Sequence, residues 1–489
     1  MRITSSDIYN LYQPSFCALR VFLKERDEAE VEPSEYQKVL QDLGKRHEKN
    51  HLSTLGPYED ISEGTLEARA ARTLSAVASG AAVIYQPVLR AEIVLNGEAC
   101  EIIGIPDFLI RVGTNYRIRD AKISRHADEE THYETVLQLN LYGWLFERIL
   151  GRPSAGLEVL LGDGTLLTIP YDGEVAALAQ LQTIHDIKSR PTEFYEPVGW
   201  TKCGSCGFSG RCWRTADAGD DVSRLRDVDA GLARELHNQN IFTVDQLIQT
   251  FNATNLSEFR RPWGQRMQRV GKKAESILLN ADALKSSRMI VKGKPALPQA
   301  LNYVVFDIEG MPPQLDELEK IYLWGLQVFG EKPTPAMMSV SGFGADGDRQ
   351  GWVDFLSSCS KVFAEYGEIP FLHWHHYEKT NLQHYVTRHG DPDGTAARIA
   401  RNLVNLLTIT EEAIVLPVPS YSLKVVEKLT GFVRQLDNAG GDWAMATYIR
   451  AVETGDETLR QELMGRIIAY NKEDLEGTWA TFQWLRSYA

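Results

Sequence analysis

No apolar run in the sequence approaches the roughly 18 residues needed to cross a bilayer, which excludes a membrane-spanning helix from the expected architecture. The first segment, MRITSSDIYNLYQPSFC, lacks a basic stretch followed by an apolar one, so secretion is not expected and a cytoplasmic location is. Cysteine is scarce, six in 489 residues. That is a poor disulfide framework for so long a chain, and in a reducing compartment the thiols read as metal ligands or free groups. Positive charge is also short, with 52 Lys and Arg against 66 Asp and Glu and a formal net charge of −14. The deficit excludes a broad electrostatic pull on phosphate backbones, so any nucleic-acid affinity must come from local patches. Internal repeats and low-complexity tracts are absent as well, which excludes a solenoid.

What is present fits an α/β multi-domain chain, since 489 residues exceed what one core normally organises. Ser34-x-x-Gln37 is a capping-box start, and Leu40, Leu43 and His47 follow at helical spacing, which turns His47 inward. β-rich runs at 83–95, 101–112 and 116–123 precede a helical stretch at about 131–150 and two strands around the Asp163-Gly164 turn. A Cys- and Gly-rich loop at 203–213 closes this first region, 1–215. Short helices with little strand signal are expected over 220–290. The Pro- and Gly-bearing stretch from Lys292 to Pro298 reads as a linker, and the apolar run Tyr303 to Phe306 opens a second α/β region, 298–489, with further strands near 321–329 and 370–374.

Gly104-Ile-Pro-Asp107 ends one strand-like run and Asp120-Ala-Lys122 lies on the next. The two carboxylates can therefore meet, and strand alternation puts Lys122 on the face of Asp120. Two carboxylates with a lysine suit phosphodiester hydrolysis, because hard divalent cations take oxygen ligands and an ammonium stabilises charge on phosphate. Gln138 and Tyr142, four apart, share a helix face, and His47 offers a further ligand. Each feature alone is ordinary surface or core chemistry; the conjunction carries the weight. Taken in order, His47, Pro106-Asp107, Asp120-x-Lys122 and Gln138-x3-Tyr142 resemble the PD-(D/E)xK superfamily, with its restriction-endonuclease-like core, and in particular its RecB-like branch. The resemblance implies that Asp107, Asp120 and His47 hold Mg²⁺ or Mn²⁺, that Lys122 is catalytic, and that Gln138 and Tyr142 contact nucleic acid and support the site.

Cys203-x2-Cys206-x5-Cys212 gathers three soft ligands, and Cys17 can join them from the other end of the region. Four thiolates suit structural zinc or an iron-sulfur cluster alike. One distant cysteine plus a C-terminal trio around a RecB-like core resembles the iron-sulfur nucleases of the CRISPR-adaptation and AddB-type repair groups. That resemblance implies a [4Fe-4S] cluster, with Zn²⁺ as the alternative. Cys100 and Cys359 have no partners at ligand spacing and read as free. Asp229-Ala-Gly231-Leu232 through Ile241-Phe-Thr-Val resembles a helix-hairpin-helix unit, whose turn amides hold a phosphate, and reads equally as a plain helical spacer. The basic run Arg260, Arg261, Arg266, Arg269, Lys272 and Lys273 behind it is expected to touch phosphate backbones without regard to sequence. A sparser group, Arg111, Arg117, Arg119, Lys122 and Arg125, is a second candidate patch, for which a solvated face is the leading reading.

Asp307-Ile-Glu309 on a strand points both acids one way, as do Tyr470 and Asp474, four apart on a helix. Glu378 follows an apolar strand and begins a helix. Four carboxylates can hold two divalent ions about 4 Å apart, whereas four buried acids alone would repel one another. The set resembles the DEDD exonucleases of the RNase H-like fold over about 300–489, with Tyr470 matching the tyrosine of their Tyr-x3-Asp subtype. It implies hydrolysis from the 3′ end, the tyrosine orienting the attacking water. Glu378 departs from the family's Asp by one methylene. Asn405 stands where an acid is common and is not counted as a ligand. Ser420-Tyr-Ser-Leu-Lys424 and Tyr322-Leu-Trp-Gly-Leu resemble a RecB-type nuclease family that joins both modules in one chain. The expected function is a metal-dependent DNA nuclease acting on single strands or ends in repair, recombination or defence, with a helicase or defence complex as candidate partner. The rivals are a non-catalytic iron-sulfur subunit that holds DNA ends, and a C-terminal module that acts on RNA.

Overall fold

The computed structural model describes residues 1–124, 132–263, 266–312, 319–436 and 440–489, so Arg125 lies outside the described residues. The chain divides into two compact units. Residues 1–33, 37–196 and 201–212 form the first; residues 34–36, 197–200 and 213–489 form the second. Among the described residues no helix is long and apolar enough to cross a membrane.

In the first unit a six-stranded sheet runs in the order Glu59–Asp60, Val83–Tyr85, Phe108–Val112, Asn115–Ala121, Leu157–Leu160 and Leu166–Ile169. A separate three-stranded sheet pairs Glu98–Gly104 antiparallel with Leu89–Leu95 and parallel with Arg2–Thr4. The runs expected at 83–95 and 101–112 are thus each two strands, divided between the two sheets. The cause is proline. Pro87 and Pro106 have no amide proton for a ladder, so the chain leaves one sheet and enters the other at each of them. Asp107 sits in the second of these joints. The helix Tyr133–Leu150 is buried from Glu134 to Phe146 on every side, as an interior helix must be, and sets Leu137, Leu141 and Leu145 in the core with Ile102, Ile118 and Val159. It lies close to the strand because Gly104 has no side chain: a Cβ there would come within 2.7 Å of the Tyr142 ring. The cysteine segment expected as a loop is largely helical, in Trp200–Cys203 and Ser209–Ala218.

In the second unit a five-stranded sheet has the order Met337–Val340, Lys320–Gly330, Asn302–Met311, Phe371–His373, Leu403–Asn405. The first three are antiparallel and the last two join in parallel. Alternation along Asn302–Met311 sends Val304, Phe306 and Ile308 into a core with Trp324, Trp352 and Phe355. Tyr303 and Val305 enter another with Leu475, Phe482 and Leu485 of the long helix Glu457–Arg486. Asp307 and Glu309 continue the second set, on the side of that helix.

In the 220–290 region the helices Ala230–Asn238, Val244–Thr250 and Ala253–Glu258 are capped by the side chains of Asp229, Thr243 and Asn252 respectively. One expectation fails here. The basic run is an antiparallel hairpin, Arg260–Trp263 with Arg266–Arg269, that pairs Arg260 with Arg269. Pro262 is tolerated because a two-stranded ribbon is all edge. The region read as a linker is also tied down, since Ile290–Val291 pairs with Ile414–Val415 and Lys292 N donates to Ala413 O at 2.7 Å.

Candidate metal centres

In the first unit, Phe108 pairs with Arg119, which brings Asp107 opposite Asp120. The Asp107 amide donates to Asp120 Oδ1 at 3.1 Å, and the Ala121 amide donates to Asp107 Oδ2 at 2.7 Å. Lys122 Nζ stands 2.8 Å from Asp120 Oδ2. Burial, then Asp120 and Glu48, hold the Asp107 carboxyl well above the ordinary carboxylate range. Burial works against the Lys122 charge, but Asp120 and Asp107 outweigh it and keep the ammonium above the usual lysine value.

Glu48 was not singled out in the sequence, although it adjoins His47. Gln86, also missed, donates to Glu48 Oε1 at 2.7 Å and to Asp107 Oδ1 at 3.1 Å, and so bridges the helix Glu35–Thr54 to the joint. His47 makes no direct contact with either aspartate among the described residues. Its Nε2 is buried and has no hydrogen-bond partner there, the condition of a ligand awaiting a cation. Tyr142 is buried beside Asp120 and Lys122, and burial and Asp120 push its phenol up. Gln138 is buried too and donates to Ser5 O at 2.9 Å. Neither offers exposed surface.

The second centre is tighter. Asp307, Glu309 and Asp474 each bring a ligand atom within 4.8 Å of the others. Burial and Asp474 push Glu309 up to about 8. Burial, then Asp474, Glu309 and Glu378, raise Asp307 well above its ordinary value. Glu378 is 4% exposed, and its Oε2 has no hydrogen-bond partner among the described residues; the nearest cation candidate, His373 Nδ1, lies 3.4 Å away and pairs instead with His375 O. Asn471 donates to Asp307 Oδ2 at 2.7 Å. Tyr470 is buried, and burial and Asp474 raise its phenol far above the ordinary value. Glu427 and Arg434 stand in no periodic pattern or motif, yet Arg434 reaches both Glu427 and Asp474. Asn405 caps the helix Leu406–Ala413.

Compressed buried acids with an orphaned oxygen beside them fit a divalent cation with oxygen ligands. Residues 17–213 match the family model of the PD-(D/E)XK nuclease superfamily, and residues 304–486 match that of the RNase H superfamily. The chain carries both nuclease-superfamily domains. Together they support a metal-dependent nuclease that hydrolyses phosphodiesters and binds nucleic acid. No curated protein matches the chain. A solved structure titled "Crystal structure of SSO0001" aligns with 36% of this chain and 96% of that one at 18% identity, with a TM-score of 0.20, too loose an overlap to bear on the fold.

In the PD-(D/E)XK domain, Cys17, Cys206 and Cys212 pack against the main core. Burial pushes the Cys17 thiol up to about 12, with Cys206 and Cys212 adding to the rise, and burial with Cys206 and Cys203 pushes Cys212 up to about 11. Cys100 and Cys359 are buried and free. In the sparse basic group Arg117 and Arg119 both pair with Glu158, and the exposed Arg111 donates to Gly80 O and Gly113 O.

In the hairpin region Arg261 is 7% exposed and pairs with Asp229 Oδ2 at 2.7 Å, which corrects its reading as a nucleic-acid contact. Arg269 pairs with Glu258 and Lys273 with Asp227. Arg260, Arg266 and Lys272 are exposed and have no ion-pair partner among the described residues.

Proposed function

We propose that the chain is a DNA-processing nuclease. The PD-(D/E)XK domain cleaves single strands or ends through His47, Asp107, Asp120 and Lys122, and the RNase H domain trims from 3′ ends through Asp307, Glu309, Glu378, Asp474 and Tyr470. The observation that carries this reading is the trio Asp307, Glu309 and Asp474, the first half-buried and the other two buried, with ligand atoms inside 4.8 Å. Such crowding of like charges is costly unless a cation shares them. Mg²⁺ or Mn²⁺ suits the oxygen donors, and when bound would polarise the phosphate and lower the pKa of water.

The chain's own groups do the rest. Asn471 fixes the Asp307 carboxylate. Tyr470, its phenol kept protonated, can orient a water by hydrogen bonding. Lys122, kept charged by its two aspartates, offers an ammonium to the phosphate in the other domain. The exposed Arg260, Arg266 and Lys272 hold the backbone, in the manner of a helix-hairpin-helix region, without reading sequence.

Cys17, Cys203, Cys206 and Cys212 carry a [4Fe-4S] cluster in this reading. Its support is that Cys17, Cys206 and Cys212 all pack against the same core, with Cys203 ending the helix Trp200–Cys203 close by in sequence. A reducing cytoplasm keeps those thiols free to ligate. The work belongs to repair, recombination or defence, alongside a helicase or defence complex.

The test is degradation of 5′- and 3′-labelled single-stranded DNA, and of matched RNA, in Mn²⁺. Asp307→Asn should abolish trimming from the 3′ end, and Asp120→Asn should abolish the remaining cleavage. No turnover by the parent on any substrate supports the non-catalytic subunit instead, and preference for RNA reassigns the second domain.

A further inference from the structure

The RNase H domain holds one guanidinium with hydrogen-bonding capacity to spare. Arg434 donates from Nε to Glu427 Oε1 at 2.6 Å, and from Nη2 to Glu427 Oε2 at 2.8 Å and Asp474 Oδ1 at 2.5 Å. Glu427 is 3% exposed, so this is an interior bidentate pair. Arg434 Nη1 is buried as well, yet it has no hydrogen-bond partner among the described residues. A buried charged donor without an acceptor is costly, and the planar fork of arginine matches the oxygens of a phosphate.

The ion pair with Asp474 accounts for Nη2 but leaves Nη1 unexplained. What the pair with Glu427 supplies is direction, since a bidentate carboxylate fixes the guanidinium plane. Arg434 Cζ lies 6.0 Å from the centre of the Tyr470 ring, and Lys424 Nζ lies 4.5 Å from the same ring, so the guanidinium borders the tyrosine and the acids at once. A phosphodiester that reaches the trio must pass beside it.

We propose that Arg434 binds a non-bridging oxygen of the scissile phosphate in the RNase H domain, and that Glu427 is the positioning residue that sets its plane. This rests on the reading of that centre as a phosphodiesterase. The experiment uses the full chain carrying Asp120→Asn, which silences the other domain, with Asp307→Asn as control. Oligo(dT) with an Rp or Sp phosphorothioate at its 3′-terminal linkage is the substrate. Arg434→Gln should lower kcat/KM by roughly 10²–10³-fold, the usual loss for one donor to transition-state charge. It should also shrink the rate difference between the two diastereomers, and weaken binding of thymidine 5′-monophosphate titrated in EDTA.

Glu427→Gln should show the same pattern, less severely. Arg434→Lys keeps the charge but loses the fork, should retain the fold, and should give intermediate values for all three readouts. Turnover by Arg434→Gln within threefold of the parent overturns the proposal. So does a loss of turnover with the diastereomer preference and nucleotide affinity unchanged, because the residue then serves only to hold Asp474. If Arg434→Gln melts early, Arg434→Lys decides by the same criteria. Persistent 3′ trimming by Asp307→Asn instead overturns the reading of the centre itself.

Discussion

Replacing Asp307 by asparagine should make the metal-free protein more stable while making it unable to use a cation. The carboxylate lies within 4.8 Å of a ligand atom on both Glu309 and Asp474. At that separation one pair of like charges costs about 1–3 kcal/mol for effective dielectric constants between water and a protein surface. Asparagine removes the charge but keeps an oxygen for the Asn471 amide. For a domain of about 200 residues, each kcal/mol moves Tm by roughly 2–4 °C, so Asp307→Asn should raise the melting of the RNase H domain by several degrees in EDTA at pH 8. In the parent, Mn²⁺ at about 100 times its Kd should add about 2.7 kcal/mol, and the variant should lose that gain.

The pH dependence has a definite sign. Glu309 sits at about 8 in the folded chain against 4.5 ordinarily, so the native state binds the extra proton. The stability this lends is complete below about 4.5 and is lost as pH rises through about 8. Metal-free Tm should therefore fall across that window, while the Mn²⁺-induced shift grows. Differential scanning calorimetry in EDTA and in Mn²⁺ reads both. A variant that melts below the parent in EDTA, or that keeps the Mn²⁺ shift, refutes the reasoning.

Three further outcomes separate the roles of neighbouring residues. Gly325→Ala would place a Cβ 1.8 Å from Asn471 Oδ1, so 3′ trimming should fall at least about tenfold through lost positioning while cleavage by the PD-(D/E)XK domain persists; equal loss of both activities contradicts this. Arg261→Ala should destabilise by about 1–3 kcal/mol, because it strands Asp229, and should leave the salt dependence of DNA binding intact, whereas Arg260→Ala with Arg266→Ala should weaken binding and flatten that dependence in a filter-binding titration. Cys212→Ser should remove the visible absorbance of anaerobically purified protein and lower the melting of the first unit; colourless parent protein that contains zinc would replace the iron-sulfur assignment.

The acids were legible in the sequence because strand alternation and helical spacing fix which way neighbouring side chains face. Asp307 with Glu309, Tyr470 with Asp474, and Asp120 with Lys122 all follow from local periodicity. What escaped depends on long-range pairing. Glu48 reaches Asp107 only through Gln86, and Arg434 reaches Asp474 from a segment with no periodic signal. The short strands Arg2–Thr4, Met337–Val340 and Leu403–Asn405 were invisible for the same reason, since three or four residues carry no period of their own. The basic run misled in another way. Its composition announced phosphate binding, but composition does not say which arginine the fold keeps for itself, and Arg261 is buried against Asp229.

The most direct test is the rate at which the purified chain degrades single-stranded DNA in Mn²⁺, parent against the double variant Asp120→Asn, Asp307→Asn. Two acid-built cation centres predict turnover by the parent and a loss of more than about a thousandfold in the variant. A double variant that degrades DNA as fast as the parent contradicts the account.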